Sequence, residues 1–337
     1  MNIRRMALVL LVAVGLLALM AGTASAWSKS THVHIGEAVA EEGGASEDTV
    51  EQMAELSQWA DEPSSGSMVY PDVYEDGEPD IESGTFGYNA EYNPWYGDML
   101  GTVAGGVSDG AGSALNVDHW LSYSNYDGLL WPEGEAHTNS GEFVTNAKDL
   151  IDEGDTAQGL QVLGRGQHYM QDMGVTYHVV AWDNFGGIWG EITDGDGLDH
   201  FEYEGYVADE MGGYDLDSWS WYRTAIENGA AASWEYELDG QEDIEEFTAD
   251  MAQYTLEGES DFNVANEYPD WLDAPKNEIM PTNGGDWESF SGQYATEQVL
   301  EETSARTAAV YTYAAPGVFD YDGEVVEPED DSCWYCL

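Results

Sequence analysis

Seven histidines occur in the 337-residue chain, at positions 32, 34, 119, 137, 168, 178 and 200. Two of them stand four residues ahead of a carboxylate: His168 and Asp172 in "GQHYMQDMGVTYH", and His200 and Glu204 in "LDHFEYE". On a helix that spacing puts both side chains on one face. An imidazole nitrogen and a carboxylate oxygen held together suit Zn²⁺, which takes N and O ligands. His178 falls between the two pairs, past the helix-ending Gly174. One such pair is ordinarily a solvated ion pair, and in so acidic a chain an acid near any histidine is expected by chance. Two pairs close together, with a histidine between them, are a more specific signal for metal.

The elements that would position these groups are helical. Apolar spacing predicts helices over 31–42, 46–60, 141–154, 155–174, 200–210, 216–230, 242–256 and 293–314. Ser46 or an adjacent acid caps the second, "DEPSSG" ends it, and Gly154 and Gly174 close the next two. Residues 64–115 are rich in Gly, Tyr, Asp, Glu and Pro and read as a loop-rich insertion. Residues 183–199 read as a second glycine-rich loop, and 318–337 as an acidic tail. There is no internal repeat and little strand alternation. The fold class expected is mainly α, a single helical domain over 27–317 with loop-rich insertions.

Residues 1–26 have a charged head at Arg4 and Arg5, an apolar run and an A-S-A end. That is the pattern of a secretory signal cleaved after Ala26; a membrane anchor is the competing reading. The expectation is an exported, extracellular protein using the Sec or twin-arginine route. Cleavage would make Trp27 the first residue and free its amino group. The six basic residues that remain, against all 67 acids of the chain, leave a formal charge of −61. Such self-repulsion is largely screened in molar salt, where the Debye length falls to about 3 Å. With 13 Trp, 21 Tyr and 42% hydrophobic residues the chain does not read as a disordered acidic protein. The composition points to an extreme halophile, archaeal by expectation. The two cysteines, Cys333 and Cys336 in "SCWYCL", fit a redox pair, half a zinc site or a local disulfide. As a tail feature they bear little on the main function.

"HYMQDMGVTYH" resembles the H-Y-x-x-D-x-x-x-x-x-H core of the zinc-dependent phospholipase C family, shared by the single-strand-specific zinc nucleases of the same fold. The resemblance implies a three-zinc cluster. A mature N-terminal tryptophan, here Trp27, would bind one zinc through its amino nitrogen and carbonyl oxygen, together with His32 of "WSKSTH". Asp61 of "QWADEP", His119 of "VDHWLSY" and His168 would hold a second, and Asp172 would bridge the two. His178, His200 and Glu204 would hold the third. The 57 residues between Asp61 and His119 exceed the family's gap. Loop closure over that length is tolerable, and Asp118 or Asp109 competes with Asp61. His34 and His137 are left without roles, His34 being read as structural or surface.

The implied activity is phosphodiester hydrolysis by a zinc-activated water, phospholipase C-like, with Asp61 orienting the water or acting as general base. Three Zn²⁺ set against Asp61, Asp172 and Glu204 would leave the site cationic in a strongly anionic chain. The substrate expected is a phospholipid head group, with contact at a membrane surface. Single-strand nuclease or nucleotidase activity is the runner-up. The Trp27–His32 spacing is nearer the nucleases and the terminal Glu204 nearer the phospholipases. An acidic surface lacks the basic stripe of a nucleic-acid binder, although aromatic stacking offers a partial substitute. A non-catalytic acidic metal-binding surface protein explains the charge but not the histidine pattern. The "TDGDGLD" run (Asp194, Asp196, Asp199) only faintly resembles a Ca²⁺ loop and reads as a solvated acidic turn.

Overall fold

A computed structural model describes residues 27, 29–58, 136–179, 196–213, 220–232, 238–262 and 268–320, with the backbone alone at 196–201 and 282. The expected signal segment, the 64–115 insertion and the acidic tail beyond 320 lie outside these residues. Among the described residues the regular structure is entirely helical. The helices are α1 (Lys29–Glu42), α2 (Glu47–Ser57), α3 (Ala136–Asp152), α4 (Thr156–Asp172), the single turn α5 (Thr176–Val179), α6 (Asp196–Glu210), α7 (Trp221–Ala231), α8 (Gln241–Glu257), the short α9 (Pro275–Ile279) and α10 (Phe290–Ala314). A 3-10 turn at Pro281–Asn283 follows α9. None of the described helices is long and apolar enough to cross a membrane.

Local chemistry sets most of the ends. Ser46, Asp155, Ser220 and Ser289 each accept a hydrogen bond from a backbone N–H in the first turn of α2, α4, α7 and α10. Gly154 closes α3 in the left-handed region at φ 96°, as its position predicts, with Asp155 N–H returned to Leu150 O at 2.9 Å. Gly174 is needed for a different reason. A Cβ there would fall 2.3 Å from Thr303 Oγ1 and 3.1 Å from Trp27 Nε1, so the chain turns here in close contact with α10 and with the indole. The reading of 183–199 as loop is corrected at its end: α6 already starts at Asp196. Residues 318–320, placed in the tail, lie on the body. Phe319 is buried with its ring 4.6 Å from that of Tyr311, and Asp320 N–H donates to Gly43 O.

The long α10 runs through the centre, touching α1, α3, α4, α7, α8 and α9. Every residue from Glu302 to Tyr311 is buried, so no face is left for water. Its small polar residues return their hydroxyls to the preceding turn, Thr303 to Val299 O, Ser304 to Leu300 O and Thr307 to Thr303 O. Arg306, also fully buried, is paired with Asp250 at 2.6 Å and Glu302 at 2.9 Å and donates to Phe247 O. This bonding ties α8 to α10 and makes Arg306 a structural cation. α3 and α4 form an antiparallel pair, with α2 packed on the other side of α4 at Gly164. A Cβ on Gly164 would meet Leu56 at 2.9 Å. That close approach brings the C-terminal end of α2 against the histidine-bearing end of α4.

Candidate metal centre

The first turn of α1 and the last turn of α4 converge in the interior. His32, His168 and Asp172 have no solvent exposure. Their ligand atoms lie within 4.8 Å of one another. The Nε2 atoms of both histidines face the same oxygen, Asp172 Oδ1, at 3.5 Å from His32 and 3.3 Å from His168. The two imidazoles stack with centroids 4.1 Å apart.

What each ring does at its other nitrogen explains this orientation. Ser57 is the last residue of α2, so its carbonyl has no acceptor role left within the helix. His168 Nδ1–H donates to it at 2.7 Å. His32 Nδ1–H donates to Gln171 Oε1 at 2.7 Å. The Gln171 amide donates in turn to Gln167 Oε1, and Gln167 donates to Met53 O and Gly164 O. Tyr311 of α10 donates its hydroxyl to the same Gln167 oxygen. With both Nδ1 atoms protonated, both Nε2 atoms present lone pairs toward Asp172. Metal-binding histidines are held by partners of this kind, which fix tautomer and ring angle.

The separations also suit a metal. A charge-assisted N–H···O⁻ bond is about 2.7–2.9 Å, shorter than either contact to Asp172. Tetrahedral zinc with bonds of about 2.0–2.2 Å places neighbouring ligand atoms about 3.3–3.6 Å apart. The 3.3 and 3.5 Å contacts match that edge. Two imidazoles and one carboxylate, all buried, form an N/O donor set of the zinc type.

A second pair adjoins the first. His178, on α5, has Nε2 4.0 Å from Oε1 of Glu204, on α6. Burial first, and then the negative charge of Asp172, push the Glu204 carboxyl well above its ordinary range. Two carboxylates crowded in a dry interior disfavour each other's charge, and a cation between them removes the conflict. Trp27 is fully buried, its indole 5.9 Å from the Tyr203 ring and against Gly174, beside the end of α4 that carries Asp172 and the middle of α6 that carries Glu204.

The remaining expected ligands are His200, Asp61 and His119. The backbone of His200 lies on α6, one turn before Glu204. Asp61 and His119 lie outside the described residues. The resemblance assigned His32 and His168 to different ions; here both face one oxygen of the intended bridge, Asp172. His34 is buried on α1, and His137 lies at the start of α3. Sequence reasoning passed over Gln167, Gln171 and Tyr311. The repeat "QHYMQD" was the available signal, since it sets a glutamine directly before each α4 ligand, four residues apart and therefore on one face.

No family model matches the chain. No curated protein matches it either. Among solved structures it is similar to the alpha-toxin of Clostridium absonum, with 14% identity and a TM-score of 0.43 over 85% of this chain and 63% of the toxin. It is also similar to Clostridium perfringens alpha-toxin from avian strain SWCP, with 14% identity and a TM-score of 0.37 over 86% of this chain and 64% of the toxin. The chain thus spans less than two thirds of either toxin.

Proposed function

We propose that the chain is an exported zinc-dependent hydrolase of phosphodiesters, phospholipase C-like in its substrate. The observation that carries the reading is the convergence of His32 and His168 on Asp172 Oδ1, with both Nδ1 atoms committed to neighbours. His178 and Glu204 adjoin this group as the start of a neighbouring site. On this reading His200, Asp61 and His119 supply further ligands, as the sequence resemblance implies. The amino group of Trp27, freed by cleavage after Ala26, does the same.

Bound zinc supplies Lewis acidity and positive charge for a phosphoryl oxygen and its leaving group. The chain's own residues have distinct tasks. Ser57 O and Gln171 hold the two imidazoles with Nε2 directed inward. Asp172 draws them to one point. Asp61, which lies outside the described residues, would orient the attacking water or act as its general base. The acidic surface repels anions generally, which leaves the metal-bearing interior as the place where a phosphodiester is stabilised.

The test is hydrolysis by zinc-loaded protein in molar salt of a choline phosphodiester and, separately, of single-stranded DNA. Cleavage of the choline ester, lost with a chelator and in His168→Ala, is expected. Cleavage of DNA alone moves the assignment to the nuclease reading, and activity that survives both treatments contradicts a zinc mechanism.

A further inference from the structure

We infer that the cleft between α1 and α7 is a second divalent-metal site, built on His34 and separate from the buried centre. His34 follows His32 by two residues, about 200° around the helix, and so opens on a different face. It lines a cleft of about 310 Å³. Glu37, Glu41 and Glu42 of α1 and Glu227 and Arg223 of α7 form the walls. His34, Glu37 and Glu41 lie at i, i+3 and i+7, a single helical face.

An acidic cleft alone would be a solvated surface in this chain. His34 is the observation that singles it out. The side chain is only 2% exposed. Its Nε2–H donates to Gly213 O at 2.7 Å. A carbonyl can only accept, so this bond fixes the proton on Nε2 and leaves the lone pair on Nδ1. That Nδ1 is buried and has no hydrogen-bond partner among the described residues. The result is an imidazole of fixed tautomer lining a cleft that carries four carboxylates and one guanidinium. Nitrogen with carboxylate oxygens favours Zn²⁺ or a similar transition ion over Ca²⁺ and Mg²⁺, which take oxygen ligands.

The two sites differ in preorganisation. Among the described residues, three ligand atoms already lie within 4.8 Å of one another only in the His32 group. Around His34 the exposed Glu41, Glu42 and Glu227 stand on flexible side chains that must rotate inward. The cleft therefore binds more weakly than the buried centre.

Equilibrium dialysis of the full chain against Zn²⁺ in molar KCl, with bound metal counted, tests the site. The expected isotherm has a weaker class that drops at least tenfold in affinity in both His34→Gln and Glu37→Gln/Glu41→Gln, and that persists in His168→Ala. Unchanged binding in the first two variants overturns the inference. So does loss in the glutamate variant with retention in His34→Gln, which is the mark of a diffuse acidic ion atmosphere. A second measurement needs no variant. The ¹⁵N resonance of His34 Nδ1 should move as the weaker class fills, and a resonance that stays put contradicts the site.

Discussion

Gln171 links the two histidine-bearing helices: its carbonyl oxygen accepts from His32 and its amide donates to Gln167. Replacing it with leucine keeps the volume but removes the group that fixes the His32 tautomer. Partners of this kind typically contribute 10–100-fold to metal affinity. Gln171→Leu should therefore weaken zinc binding by about that factor, read by competition with a chelating dye, while helical content stays unchanged. Wild-type affinity would mean that His32 is oriented by packing alone. At this scale the sequence was partly legible. Residues four apart on a helix share a face whatever surrounds them, so His168 with Asp172 could be read directly. The arrival of His32 from another helix rested on family resemblance, and the Ser57 carbonyl had no signature, because side-chain identity does not report where a backbone oxygen points.

Gly174 shows what an element requires beyond its periodicity. The turn after α4 must let Trp27 and α10 close onto it, and a Cβ there would lie 2.3 Å from Thr303 Oγ1. Gly174→Ala should lower stability by about 1–3 kcal/mol, the usual range for overpacking. Thr303→Ala in the same chain removes the closest clashing atom and should recover part of that loss. Denaturant midpoints of the two single variants and the double variant measure it, and additive losses would contradict the contact. The long helices were legible because their apolar spacing extends over several turns. The short α5 and α9 were missed because four or five residues carry too little of any period. Gly174 was expected as a helix terminator, whereas tertiary contact explains it.

For the whole molecule, a formal charge of −59 must be held in a compact shape. Inside, Arg306 offsets Asp250 and Glu302, but it is fully buried there and cannot relieve the surface. Repulsion among exposed carboxylates is screened by salt. The melting temperature should rise steeply from dilute buffer to molar KCl, each ~1 kcal/mol of relieved repulsion being worth about 2–4 °C in a domain approaching this size. A melting temperature independent of salt would show that the surface charge is not what limits stability. Composition made this property legible without any structure, because net charge does not depend on which residues touch.

Anomalous diffraction at the zinc edge from zinc-soaked crystals would show whether His32, His168 and Asp172 share one ion. The expected result is a peak about 2.0–2.2 Å from His32 Nε2, His168 Nε2 and Asp172 Oδ1 together. A zinc-loaded crystal with no peak among those three atoms would contradict it.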